Sequence, residues 1–109
     1  MTDEAVERAT LLMEIDAELM RARAKFPGKN VTFAALVEEV GELATATFEE
    51  PRANVRKEAV QVAVMAMRMV LDGDCAFDSW RAMKGLDPLT TNNVTDIAPD
   101  VQNFLPGRK

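Results

Sequence analysis

The chain has 109 residues, 48% of them hydrophobic and 28% charged, with a formal net charge of -5 and no histidine. That length suits one domain around one core, and the composition is that of a globular helical protein rather than a disordered one. Without histidine the commonest general base, the usual zinc ligand and every Ser-His or Cys-His nucleophile pair are excluded. The acidic balance, with no run of lysines or arginines, argues against a duplex nucleic-acid partner.

A single cysteine, Cys75, rules out an internal disulfide, fits a reducing compartment and reads as an inert small hydrophobe. The opening MTDEAVERAT is acidic and polar, unlike a signal peptide, and the longest apolar run, VAVMAM, is far too short to span a bilayer. A cytoplasmic protein without a membrane partner is expected.

Apolar residues recur at helical spacing from about Glu4 to Lys25, and Phe26-Pro27-Gly28 breaks the pattern. A second helix, with Asn30 or Thr32 as its cap, runs to about Glu49 on the apolar side Phe33, Leu36, Val37, Val40 and Leu43, which is expected to pack the core. Pro51 suits the first turn of a third helix that reaches Asp72 and stops at Gly73. Asp74 is positioned to cap a shorter fourth helix through Trp80 and Met83, ending at Gly85. The expected domain is residues 1–85, and 86–109 reads as an irregular C-terminal tail, extended over a neighbour or partly disordered.

Three long helices and a short one predict an all-α helical bundle. The third helix is apolar on nearly every face, so it should be buried all round. A chain this small has few elements to surround it with, which predicts a homo-oligomer, a homodimer or homotetramer.

The carboxylates need a separate account. At about 100° per residue, Glu39 and Glu42 share a side of the second helix with Ala35 and Ala46, while Glu38 and Glu49 point further round toward solvent. On the third helix Asn54, Lys57, Glu58, Gln61, Arg68 and Asp72 form one polar stripe interrupted only by Met65. A charged group on a buried helix must be paired or metal-bound. Two readings follow: a solvated acidic face in which Glu58 pairs with Arg68 or Arg21, or two helices that turn oxygen ligands at i, i+3 spacing into a cleft holding Mg²⁺ or Mn²⁺.

The segment EVGELA, with fifteen residues between Glu42 and Glu58 and an apolar bundle-forming helix around the latter, resembles the MazG-like all-alpha nucleoside triphosphate pyrophosphohydrolases. The resemblance covers about Val31 to Asp74. That family carries ExxE on one helix and ExxD on the next; here the last motif acid is Gln61, in EAVQ, a neutral oxygen donor that brings no charge. Asp72 is the acid that shares the stripe with Gln61. The resemblance implies hydrolysis of a (d)NTP to the monophosphate and pyrophosphate, of the kind found in nucleotide-pool housecleaning and in small phage members.

It further implies Mg²⁺ or Mn²⁺ on Glu39, Glu42, Glu58 and Gln61, with Glu38 or Glu42 orienting the attacking water. Lys57, Arg68 and Arg21, with Arg23 and Lys25, are the candidate phosphate contacts, and Asn54 a candidate sugar or phosphate contact or a helix cap. Phe26, Phe33, Phe48 and Trp80 are the candidate stacking platforms for a base, with core packing the alternative for each.

Overall fold

A computed structural model describes residues 2–89, 96–102 and 104, and among them every regular element is helical. The long helices are α1 (Asp3–Lys25), α2 (Thr32–Glu49) and α3 (Arg52–Leu71); a 3₁₀ turn at Cys75–Phe77 leads into α4 (Asp78–Met83), and α5 is a single turn at Pro99–Gln102. The breakers act where their chemistry places them. Thr2 caps α1 by accepting from the Ala5 amide at 3.1 Å, and Glu50-Pro51 alone separates α2 from α3. Gly73 and Gly85 turn the chain with φ of 67° and 74°, a left-handed conformation that side chains resist.

The tail differs from its expected form: Pro99 opens a helical turn in which the Val101 amide bonds to the Ala98 carbonyl at 3.0 Å. Expectations for 90–95, 103 and 105–109 lie outside the described residues.

The cap of α2 is also a correction. Neither Asn30 nor Thr32 supplies it: the cap position is Val31, which has no polar side chain, and the Thr32 hydroxyl is buried without a partner. Asp74 does the work from the turn that follows α3. Its Oδ2 accepts from the Phe33 amide at 2.8 Å, and its Oδ1 accepts from the Ala76 amide at 3.1 Å, starting the 3₁₀ turn. One buried carboxylate thus satisfies the first turns of two helices.

Helix α3 lies between α1 and α2 and packs against both. The core is small. Leu19, Val60 and Val64 form its buried centre, with Ile15, Ala22 and Met67 against them. The expected α2 contribution is only half right: Leu36 and Leu43 are half-buried, while Phe33, Val37 and Val40 are exposed, because α2 turns its Thr32, Ala35, Glu39 and Ala46 side to α3.

Nor is α3 buried all round. Ala59, Ala66, Val70 and Leu71 face out of the single chain, and most of its polar stripe faces in: Met65, Arg68 and Asp72 are buried and Glu58 and Gln61 half-buried, while Asn54 and Lys57 are exposed. Two flanking helices cover only part of a third. Cys75 is exposed, not packed as a small hydrophobe, and all four aromatics considered as stacking platforms are exposed rather than core.

Three groups on and beside the inward stripe are tied into one ion-pair cluster. Asp72 accepts from Arg23 of α1 at 2.6 and 3.2 Å and from Arg68 at 2.9 Å, and Arg68 also reaches the Gly28 carbonyl at 3.2 Å. The Arg23 hydrogen bond, seconded by Arg68, holds the Asp72 carboxyl below its usual range. The cluster pins α1, the break after it and the end of α3 together, and both carboxylate oxygens of Asp72 are engaged in it. No helix among the described residues is long and apolar enough to cross a membrane.

Candidate metal centre

Glu39 sits on the buried side of α2 because Thr32, Ala35, Leu36, Leu43 and Ala46, at helical spacing around it, are the residues turned toward α3. Ala46 is fully buried and small, so it brings the helices close and leaves the longer glutamates to meet beside it. Glu42, one turn on, and Glu58, from the facing part of α3, complete the group. One carboxylate oxygen from each of Glu39, Glu42 and Glu58 lies within 4.8 Å of the other two. Oxygens that share a hard divalent cation at about 2.0–2.6 Å stand at most about 4–5 Å apart, so the spacing fits one ion.

The electrostatics fit as well. Neither Arg68 nor Arg21 answers Glu58, as the ion-pair reading required: Arg68 belongs to Asp72, and Arg21 donates to Glu18 at 2.6 and 2.8 Å. Oε2 of Glu39 is buried and meets no donor among the described residues. An ionised carboxylate only accepts, so the neighbouring carboxylates cannot satisfy that oxygen unless one carries a proton, whereas a cation would satisfy it directly. Burial first, then the charge of Glu42 and a hydrogen bond with Glu58, push the Glu39 carboxyl from the ordinary 4.5 up to about 7.

The acid group stands between two clefts. One, of about 480 Å³, is lined by Glu38, Gly41, Glu42, Thr45, Glu50 and Glu58, without a basic side chain. Gly41 is informative there, since, apart from its chain neighbours and the backbone of its own helix, no atom of the described residues lies within 4 Å of where its Cβ would stand. A glycine inside a helix costs about 1 kcal/mol relative to alanine, and nothing within the single chain requires it. The other cleft, of about 400 Å³, joins Glu39 and Gln61 to Glu18, Arg21, Lys25 and Phe26 of α1 and its end. It is the basic side.

The remaining sequence candidates fall as follows. Glu38 is exposed on the rim of the acidic cleft. Asn54 donates to Glu50 at 3.1 Å, so its side chain is a surface partner of that glutamate and caps nothing. Lys57 is exposed beside Glu58 in the sequence. Arg68 lines the basic cleft, but its Nε and one Nη are already engaged. Gln61 does not turn its amide nitrogen to the acids: its Nε2 donates to Glu18 Oε1 at 3.0 Å.

Glu18 is the residue that sequence reasoning missed. It shares a face of α1 with Ile15, Leu19 and Ala22, all wholly or partly buried, and that spacing was the available signal. Both of its oxygens are used, Oε1 by Gln61 and Oε2 by Arg21, and these bonds, that from Gln61 foremost, hold its carboxyl below the usual range. No family model, curated protein or solved structure gives a significant match to the chain.

The pH dependence of the metal-free protein tests this electrostatic picture. A carboxyl raised in the folded state binds its proton there to higher pH than in the unfolded chain. Its contribution to stability is therefore complete below the ordinary 4.5 and is lost as pH rises toward about 7. In chelator, the wild-type melting temperature should fall across that window more steeply than that of Glu39→Gln. The variant should be the more stable by on the order of 1 kcal/mol near neutrality. Parallel profiles would mean that Glu39 carries no such load.

Proposed function

We propose that the chain is a divalent-cation-dependent nucleoside triphosphate pyrophosphohydrolase that releases a (d)NMP and pyrophosphate. The observation that carries this reading is the meeting of Glu39, Glu42 and Glu58 with a buried carboxylate oxygen that no donor of the described residues reaches. Their chemistry is that of hard oxygen ligands, which select Mg²⁺ or Mn²⁺ over softer metals. Such an ion neutralises phosphate charge and makes a water acidic enough to attack. In the reaction that water forms a bond to the α-phosphorus, the bridge to the β-phosphate breaks, and pyrophosphate leaves.

The chain's own groups divide the rest. Glu38, on the rim of the acidic cleft, is free to orient the water and take its proton. Arg21 and Lys25 offer charge to the phosphates on the basic side, where the Phe26 ring lines the same cleft and gives a base a face to stack on. Lys25 already lies 5.4 Å from the centre of that ring. Lys57, exposed next to Glu58 in the sequence, and Asn54, bonded to Glu50 on the rim of the other cleft, are proposed as further substrate contacts. The space beside Gly41 suits a ligand or a second subunit.

The assembly proposed with this activity is a homodimer or homotetramer. Its support is the surface a single chain leaves bare: Phe33, Val37, Val40 and Phe48 on α2 and Val70 on α3 are all exposed beside a core of five buried apolar residues among those described. A core that small rarely stabilises a chain by itself.

Two measurements test the proposal. Incubation with a panel of NTPs and dNTPs should give monophosphate and pyrophosphate with Mg²⁺ or Mn²⁺ and none with chelator, and Glu39→Gln or Glu58→Gln should lower the rate at least about 100-fold. Metal-dependent nucleotide binding without product, restored to turnover by Gln61→Asp, would instead make the native protein a non-hydrolysing relative. Silence from both would leave a structural bundle. Light scattering should give a multiple of the 12.0 kDa chain mass, and a monomer would remove the assembly.

A further inference from the structure

Gln61 stands one turn from Glu58 on α3 and lines the same cleft as Glu39. A primary amide at that place can present either of two nearly isosteric edges, a carbonyl oxygen or an NH₂ group, and the two have opposite consequences for a cation site. An NH₂ turned to the acids would hydrogen-bond them and compete with the ion; a carbonyl oxygen would add a ligand.

Glu18 decides between them. An ionised carboxylate only accepts, so the edge of Gln61 that faces Glu18 must be the NH₂ edge, as the 3.0 Å bond from Nε2 to Oε1 has it. Arg21, on Oε2 of the same carboxylate, keeps Glu18 charged and in place. The carbonyl edge of the amide then lies on the side away from Glu18.

Building on the metal-centre reading, we infer that Glu18 is a positioning residue: it fixes the amide of Gln61 so that a neutral oxygen, not a donor, is offered to the Glu39–Glu42–Glu58 group. This makes Gln61 a matched choice rather than a lost acid. An acid at position 61 would stand against Glu18 with no hydrogen between them. Helix α1 therefore takes part in the site without touching the ion.

The test uses the full chain and Mn²⁺ alone, read by electron paramagnetic resonance as free against bound ion, so that no turnover is needed. Glu18→Gln keeps the size of the side chain but can receive either edge of Gln61, and it should weaken Mn²⁺ binding about 10-fold or more, the usual effect of a residue that orients a ligand. The exchanged pair Glu18→Gln with Gln61→Glu restores a donor facing an acceptor, and it should recover wild-type binding or exceed it. Gln61→Glu alone should melt at lower temperature than the exchanged pair in chelator.

If Glu18→Gln binds Mn²⁺ as the wild type does, Glu18 is structural only, and the metal-centre reading survives untouched. If the wild type binds no Mn²⁺, that reading fails and takes this inference with it. Failure of the exchanged pair to recover binding, with its circular dichroism intact, would also overturn the orienting role.

Discussion

The central constraint on this bundle is that its middle helix turns a polar face inward. Arg68, Asp72, Gln61 and Glu58 all point from α3 toward the helices that flank it, so each has to find a partner in a space with little water. Arg23, Asp72 and Arg68 answer one another, and the Gly28 carbonyl takes a further donor. Gln61 and Arg21 answer Glu18. At Glu39, Glu42 and Glu58 the pairing stops, and among the described residues no basic side chain makes an ion pair with any of the three.

The two kinds of cluster do different work. The Arg23–Asp72–Arg68 group joins α1, the turn after it and the end of α3, and removing Asp72 would leave two arginines without their shared counter-charge. The glutamate group joins α2 to α3 in the opposite sense: it holds like charges close and so loads the fold. A fold keeps such a load where function needs it, and Gly41 adds to it by leaving open space inside a helix.

Much of this was legible in the sequence, for local reasons. Phe26-Pro27-Gly28, Pro51 and Gly73 are punctuation whose effect does not depend on distant residues, so the three long helices ended where expected. Glu39 and Glu42 were legible as a pair because helical spacing fixes which side chains of one helix share a face, whereas the meeting with Glu58, on another helix, was one of two open readings that the family resemblance favoured. What could not be read was which apolar side of α2 turns inward. Phe33, Val37 and Val40 make as good a stripe as the side built on Ala35, Leu36, Leu43 and Ala46, and only close packing against α3 selects the second. The Asp74 cap on α2 and the Glu18 bond to Gln61 were illegible for a related reason: each joins residues more than forty positions apart, and no periodicity links them.

The central claim is that the three glutamates are held together to share a cation, and the most direct measurement is anomalous diffraction from crystals grown with Mn²⁺. The account predicts a peak between the carboxylates of Glu39, Glu42 and Glu58 that disappears in Glu58→Gln. A peak elsewhere, or none at saturating Mn²⁺ with the three side chains ordered, would contradict it.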